Sequence, residues 1–243
     1  MKRQIVGIVL LLALVVGGVL LLMRFITTYG TCTDNRKNQD EVRIDCGGTK
    51  CGPCLDEHIQ QPVTLWTRFF EIYPRTYDAV ASIRNGNQIA GGTFTYTVRL
   101  VNRDGRVVGT RDGEVTLRPT SESIIFEPNI QIDDAEATRV EVVSRGVEWR
   151  KVDRAIIPVN FSAHSYQEDP TPRLSATVTN QEVRALPGFR VVVLLEDESR
   201  NVFAASETYV EGIAGSGSEQ ILFTWPKLPR RPARPMFLAY PSE

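Results

Sequence analysis

The sequence predicts an all-β protein: two tandem immunoglobulin-like antiparallel β-sandwiches, preceded by one N-terminal transmembrane helix and a small disulfide-rich module. Three observations predict it. Residues 5–23 are 19 consecutive residues without a charge, all four cysteines fall between Cys32 and Cys54, and the rest of the chain repeats itself at an interval near 95 residues. The 243 residues suffice for one large domain or two small ones. Their composition, 42% hydrophobic and 23% charged, excludes collagen-like, low-complexity and polytopic membrane chains. The formal charge of -1 lacks the surplus of Lys and Arg that a phosphate backbone requires, so no nucleic-acid partner is expected.

At about 1.5 Å per helical residue the uncharged run is about 28 Å long, close to the hydrocarbon thickness of a bilayer. It ends in Leu-Leu-Met-Arg and not in the small-x-small site of a cleaved signal peptide, so it reads as an uncleaved signal anchor. Lys2 and Arg3 precede it, and Arg24 alone follows closely. The positive-inside rule then makes residues 1–4 a cytoplasmic stub, 5–24 the anchor and the bulk extracytoplasmic. Without residues 1–24 the chain keeps 25 basic against 29 acidic residues, a net charge of -4.

Residues 30–58 form the cysteine module. Clustered cysteines in even number beside an export signal read as a disulfide-stapled unit in an oxidising compartment. Cys32, Cys46, Cys51 and Cys54 allow three pairings, among which sequence does not choose. Only Val42, Ile44 and Leu55 are available as an apolar core. Asp34, Asn38, Asp40, Glu41 and Asp45 are hard oxygen donors of the kind Ca²⁺ selects, and are calcium candidates that miss the EF-hand spacing: Arg36 stands at its second ligand position and no Gly at its sixth. Cys51-Gly-Pro-Cys54 has the spacing of a thioredoxin-type dithiol, but Cys46-Gly-Gly precedes it and Pro62 follows too soon for a long helix. Cys51, Cys54 and His58, with Cys46 or Cys32, have zinc-ligand spacing, although an oxidising compartment converts such thiolates to disulfides. The module resembles a Cys-rich motif of bacterial surface proteins, C-x-D-x(3)-N-x(2)-E-x(3)-D-C-G-G-x(2)-C-x(2)-C, carried by Cys32, Asp34, Asn38, Glu41, Asp45, Cys46, Gly47, Gly48, Cys51 and Cys54. The resemblance implies an extracellular setting.

The repeat organises the remainder into sandwiches at 62–152 and 156–243. At an offset of 95, residues 81–85 (ASIRN) lie over 176–180 (ATVTN), 94–100 (FTYTVRL) over 189–195 (FRVVVLL) and 106–110 over 201–205. Residues 121–126 then match 218–223 at an offset of 97, and 140–143 match 236–239 at 96. Within each copy the pattern has period two. Phe94, Tyr96, Val98 and Leu100 face inward in the first, Phe189, Val191, Val193 and Leu195 in the second. Asn102 to Gly105 reads as a hairpin turn with Gly105 at positive φ, and Asn201 is expected to take that role in the second copy. Short strands in units of about 100 residues describe immunoglobulin-like sandwiches, here without an inter-sheet disulfide. A V-x-N segment, a strand ending in L-x-D, and a later S-E-x-x-x-F strand resemble the FxLYD-type domains of bacterial envelope proteins. Val178, Asn180, Val191, Val193, Leu195, Asp197, Asn201, Val202 and Phe223 carry the match; the second copy departs at Glu196, where the family commonly has Tyr, and the first at Asn102 and Arg103. The resemblance implies a sandwich fold in an extracytoplasmic setting and brings no catalytic residues.

Trp66, Phe69, Phe70 and Tyr73 belong to the first strand of the first sandwich, as packing or as an exposed patch for a partner. Trp149 and Trp225 read as core or rim anchors, residues 147–159 as the interdomain linker, and the proline- and arginine-rich 228–235 as a loop inside the second sandwich. Asn160-Phe-Ser162 is a formal glycosylation sequon, and no G-x-S-x-G, H-E-x-x-H or P-loop signature is present. The expected function is non-catalytic, with no catalytic residue and no cofactor other than a structural Ca²⁺: a protein held in the membrane by residues 5–23 that binds a protein or cell-envelope polymer. The alternatives are a membrane-tethered thiol-disulfide oxidoreductase using Cys51 and Cys54, and a calcium-dependent adhesin.

Overall fold

The computed structural model describes residues 2–28, 30–52, 54–55, 59–133, 136–151 and 157–241, and divides into two compact units, residues 1–59 and 60–243. His58 and residues 152–156 of the expected linker lie outside the described residues.

In the first unit, α1 (Lys2–Thr28) contains the whole uncharged run 5–23. A stretch of Leu, Val and Ile with no charged side chain and no proline suits an uninterrupted helix. Side chains of α1 are described for Gly7 and for residues 11–24, and among the described residues no helix is long and apolar enough to cross a membrane.

The second unit is all-β and antiparallel. Among the described residues its twelve strands are β1 (Val63–Tyr73), β2 (Thr76–Asn85), β3 (Ala90–Val101), β4 (Val107–Leu117), β5 (Ser121–Gln131), β6 (Arg139–Lys151), β7 (Val159–Gln167), β8 (Arg173–Asn180), β9 (Leu186–Glu196), β10 (Val202–Ile213), β11 (Ser218–Thr224) and β12 (Arg234–Pro241). They form four three-stranded sheets in the orders β1-β2-β5, β4-β3-β6, β11-β8-β7 and β10-β9-β12. Adding six to each strand number of the first pair of sheets reproduces the second pair. The sequence repeat is therefore a repeat of topology.

Two of the expected alignments slip by one residue. Ala81 pairs with Ile125 and its counterpart Ala176 with Ile221, an offset of 96 where sequence matching predicts 97. Leu100 pairs with Val140 and Leu195 with Pro235, an offset of 95 and not 96. A slip of one exchanges the two faces of a strand, so the buried Ile125 would lie over Leu222, which is 53% exposed. Similarity between neighbouring apolar residues cannot detect this, because it compares residue types and not the face they occupy.

Alternation closes each core. Ala79, Ala81 and Ile83 of β2 meet Phe94, Tyr96, Val98 and Leu100 of β3 in the first sandwich. Leu174, Ala176 and Val178 of β8 meet Phe189, Val191, Val193 and Leu195 of β9 in the second. A third cluster joins the two sandwiches, with Val80, Ile124 and Phe126 from the outer face of β2 and β5 against Val192, Leu194, Ala205 and Tyr240 from that of β9, β10 and β12. Beyond Arg190, which is half-buried, the outward phase of β9 is thus buried as completely as its inward phase, and Val191 to Leu195 are all 0% exposed. Two hydrogen bonds cross the same junction: Ile124 N–H donates to the Tyr240 hydroxyl at 2.8 Å, and the Arg118 guanidinium to Ala239 O at 3.0 Å.

Residues 147–151, expected to begin the linker, instead continue β6, which pairs with β3 as far as Lys151 opposite Ala90. A bulge at Gly146, with φ of 148°, lets the strand bend and go on. In the turn after β9, positive φ falls on Arg200 and not on the expected Asn201. Arg200 is the counterpart of Gly105 at the offset of 95, so the second copy keeps the turn despite the steric cost of a side chain there. Asn102 and Asp197 hold the two turns alike, each accepting two backbone N–H groups: those of Asp104 and Arg106, and of Ser199 and Asn201. Asn85 and Asn180, ending β2 and β8, are both buried and both bind the neighbouring loops, with Nδ2 donating to Ala90 O and Arg118 O in one and to Arg184 O and Ala214 O in the other.

Truncating a buried aliphatic side chain costs about 2 to 5 kcal/mol. Leu194→Ala should therefore lower unfolding stability by about that much, whereas Thr97→Ala, at a nearby repeat position on the solvated face of β3, should stay within about 0.5 kcal/mol. Denaturant titration of both variants checks this.

Candidate functional site

The cysteine module has one connectivity. Cys32 is bonded to Cys51 and Cys46 to Cys54, first to third and second to fourth in chain order, and among the described residues no cysteine is free. Cys51 and Cys54 are thus each bonded to a cysteine outside the C-x-x-C pair and not to each other. Val42 and Ile44, expected in the core, are 49% and 57% exposed. The centre is built instead from Cys51, Cys54 and the Glu41 side chain.

Of the five expected calcium ligands, the four carboxylates of Asp34, Asp40, Glu41 and Asp45 accept backbone N–H groups, whereas Asn38 donates through Nδ2 and its buried Oδ1 has no partner among the described residues. Asp34 accepts from Thr31 and Arg36 N–H and from Asn38 Nδ2, Asp45 from Asp34 and Asn35 N–H, and Glu41 from Asn38 and Asp45 N–H. Asp40 accepts both the N–H and the hydroxyl of Thr49. A loop whose Val42 and Ile44 are turned to solvent satisfies its main chain in this way. Gly47 and Gly48 have φ of 76° and 80°, and a Cβ on Gly47 would come within 2.6 Å of Val42 Cβ. That accounts for both glycines of the DCGG segment.

Hydrogen bonds from Thr31 hold the Asp34 carboxyl below its ordinary range, and those from the Thr49 side chain do the same for Asp40. Their contribution to folding is complete above the ordinary aspartate value of 3.8 and is lost as pH falls below it. The longer disulfide loop, closed between Cys32 and Cys51, adds on the order of 3 kcal/mol by restricting the unfolded chain.

The aromatic residues of β1 do not form one exposed patch. Phe69 packs on the first core, Trp66 and Phe70 pack on the cluster joining the sandwiches, and Tyr73 is 53% exposed. Trp225 is buried with its indole N–H donating to Ala205 O at 2.8 Å, and Trp149 packs against the first core. Of the expected 228–235 loop, Arg234 and Pro235 instead open β12; Arg230 pairs with Asp197 (3.1 Å) from the loop and Arg234 with Glu196 (2.6 Å) from the strand. Glu196, which stands where Tyr is common in the resembling family, is buried and matched by this arginine.

Sequence reasoning did not single out the cleft where the sandwiches meet. It encloses about 390 Å³ and is lined by Tyr96, Glu127 and Phe126 from the first sandwich and Arg190, Glu207 and Tyr240 from the second. The Tyr96 hydroxyl donates to Glu127 Oε1 at 2.7 Å, Arg190 Nη1 lies 3.5 Å from Glu207 Oε2, and the Arg190 guanidinium stands 5.9 Å from the Tyr240 ring centre. Burial raises the Glu127 and Glu207 carboxyls above their ordinary range, partly offset at Glu127 by the Tyr96 hydrogen bond and at Glu207 by Arg190. Burial also pushes the Tyr240 phenol up to about 12 and raises the Tyr96 phenol. Both carboxylates bind their protons more tightly folded than unfolded. No local pattern marks these residues, because the cleft exists only once the sandwiches dock.

No family model matches the chain, and no curated protein matches it. Among solved structures, one similar chain is that of the crystal structure of red sea bream transglutaminase, at 13% identity over 75% of this chain, with a TM-score of 0.25. The match spans only 29% of that chain, and at this TM-score it carries no inference.

Two outcomes follow from the geometry. Protease cleavage between residues 32 and 54 should be slow at neutral pH, faster as pH falls below the ordinary aspartate value of 3.8 and through the lowered folded values of Asp34 and Asp40, and fastest after reduction; peptide mapping reads this directly. The contribution of Glu127 is fully present below its ordinary value of 4.5 and is lost as pH rises through its raised folded value. Glu127→Gln, which keeps an oxygen for the Tyr96 hydroxyl, should therefore raise the thermal midpoint at pH 8 and leave it nearly unchanged at pH 4.

Proposed function

We propose that this is a non-catalytic, membrane-anchored extracytoplasmic protein whose tandem immunoglobulin-like sandwiches present an interaction surface to a protein or cell-envelope polymer. The observation that carries the reading is the junction. Two repeat units are locked into one body by an apolar sheet-to-sheet contact, and a polar cleft opens beside that contact. Such an arrangement suits a rigid display of surface better than a moving catalytic lid. The anchor is supported by the uncharged run 5–23 with Lys2 and Arg3 on its short side, and by the helical conformation of Lys2–Thr28. Four cysteines paired in two disulfides fit an oxidising compartment.

Intact cells producing the full chain with a C-terminal tag test this. Protease added outside, after removal of any outer barrier, should digest the tag and leave a cytoplasmic marker intact. Alkylation should add no mass without reductant and four adducts after reduction, matching the four cysteines. A protected tag would overturn the orientation. Cys51 and Cys54 found reduced, or opened by mild dithiol at near-neutral pH, would favour the thiol-disulfide oxidoreductase instead.

A further inference from the structure

We infer that the cleft between the two sandwiches is a binding site for an alkylammonium or guanidinium group, received by Glu127 and Glu207. The inference deepens the interaction-surface reading by naming the chemistry of what is bound.

Charge decides the sign of the ligand. Three carboxylates, Glu114, Glu127 and Glu207, line the cleft against one guanidinium, Arg190. Arg190 is directed to Glu207, with 3.5 Å between Nη1 and Oε2. The Glu127 carboxylate receives the neutral Tyr96 hydroxyl, and the nearby Arg111 guanidinium donates instead to the carbonyls of Pro128 and Asn129, at 3.3 Å each. A half-buried carboxylate with a phenol for its hydrogen bond is underneutralised, and a cation entering the cleft relieves that.

Shape and lining decide the rest. About 390 Å³ is within the range of small-ligand sites and is ample for a four- or five-atom stem bearing a charged head. The Tyr240 ring already carries one guanidinium near its face, and Tyr209, 58% exposed, stands at the mouth. Aromatic faces beside carboxylates suit an organic cation, with an apolar stem and a charged tip, better than a hydrated metal ion. A Cβ at Gly113 would strike Glu127 Oε1 and lie 2.6 Å from the Tyr96 hydroxyl, so the main chain of β4 lies directly against the Tyr96–Glu127 pair. Both sandwiches supply the charges, so neither contains the site alone.

Two sources offer this chemistry, a free amine and the side chain of a lysine- or arginine-containing peptide. Full-length protein in mild non-ionic detergent is titrated calorimetrically with n-butylamine, with n-butanol as the uncharged control, and with the tripeptides Gly-Lys-Gly and Gly-Gln-Gly. Saturable binding of butylammonium without binding of butanol is expected. Glu127→Gln and Glu207→Gln should each weaken it by roughly tenfold, and Glu122→Gln, on the exposed Arg84 pair, should leave it unchanged. Gly-Lys-Gly binding more tightly than butylammonium identifies a peptide as the source, and equal or weaker binding identifies a free amine; both support the site. Equal affinity for butanol, binding that survives both cleft substitutions, or no binding of either cationic probe overturns it. The thermal midpoint of each variant, measured alongside, shows that the fold is retained. The titration needs no membrane, so a failed orientation experiment leaves this result standing, and the reverse holds too.

Discussion

The contact on which the rest of the second unit depends is the burial of β9 on both faces. A strand of an antiparallel sandwich ordinarily keeps one face for the core and one for water. β9 gives Phe189, Val191, Val193 and Leu195 to its own core and Val192 and Leu194 to the neighbouring sandwich. Removing a second layer of aliphatic and aromatic area from water favours docking in proportion to that area. The docking in turn creates the cleft, aligns Glu127 with Glu207 and Arg190, and gives Tyr240 its hydrogen bond from Ile124.

The junction is also directional. It joins the β1-β2-β5 sheet of one sandwich to the β10-β9-β12 sheet of the next, which is the counterpart of β4-β3-β6 and not of β1-β2-β5. Unlike faces meeting head to tail would continue indefinitely if every copy carried them. The two remaining outer faces are of another kind. The outward phase of β3 is Thr93, Thr95, Thr97 and Arg99, and that of β8 is Arg173, Ser175, Thr177 and Thr179. Hydroxyls and guanidinium groups solvate these two faces, unlike the apolar pair that meets at the junction.

The first unit solves a different problem. With Val42 and Ile44 turned to solvent, it has no aliphatic centre, and two disulfides with a set of capping carboxylates stand in for one. Small modules that lack an apolar core depend on covalent links for this reason. The same carboxylates are chemically suited to calcium, which is why residue type alone could not separate a ligand set from a capping set.

Much of this was legible in the sequence, and the limits were physical. The uncharged run, the cysteine cluster, the period-two strands and the repeat are local or self-similar signals, and they determined a helix, a stapled loop and two copies of an all-β unit. Even the continuous run from Val191 to Leu195 was on view as an excess of apolar residues over what alternation requires. What covered its second face was not, because that depends on β2 and β5 of the other sandwich, whose Val80 and Ile124 lie 112 and 68 residues before Val192. Cysteine pairing, the one-residue register of β11 and β12, the positive φ at Arg200 and the charged cleft were likewise decided only by tertiary structure. Each depends on which groups meet in space, and no local preference encodes such a meeting.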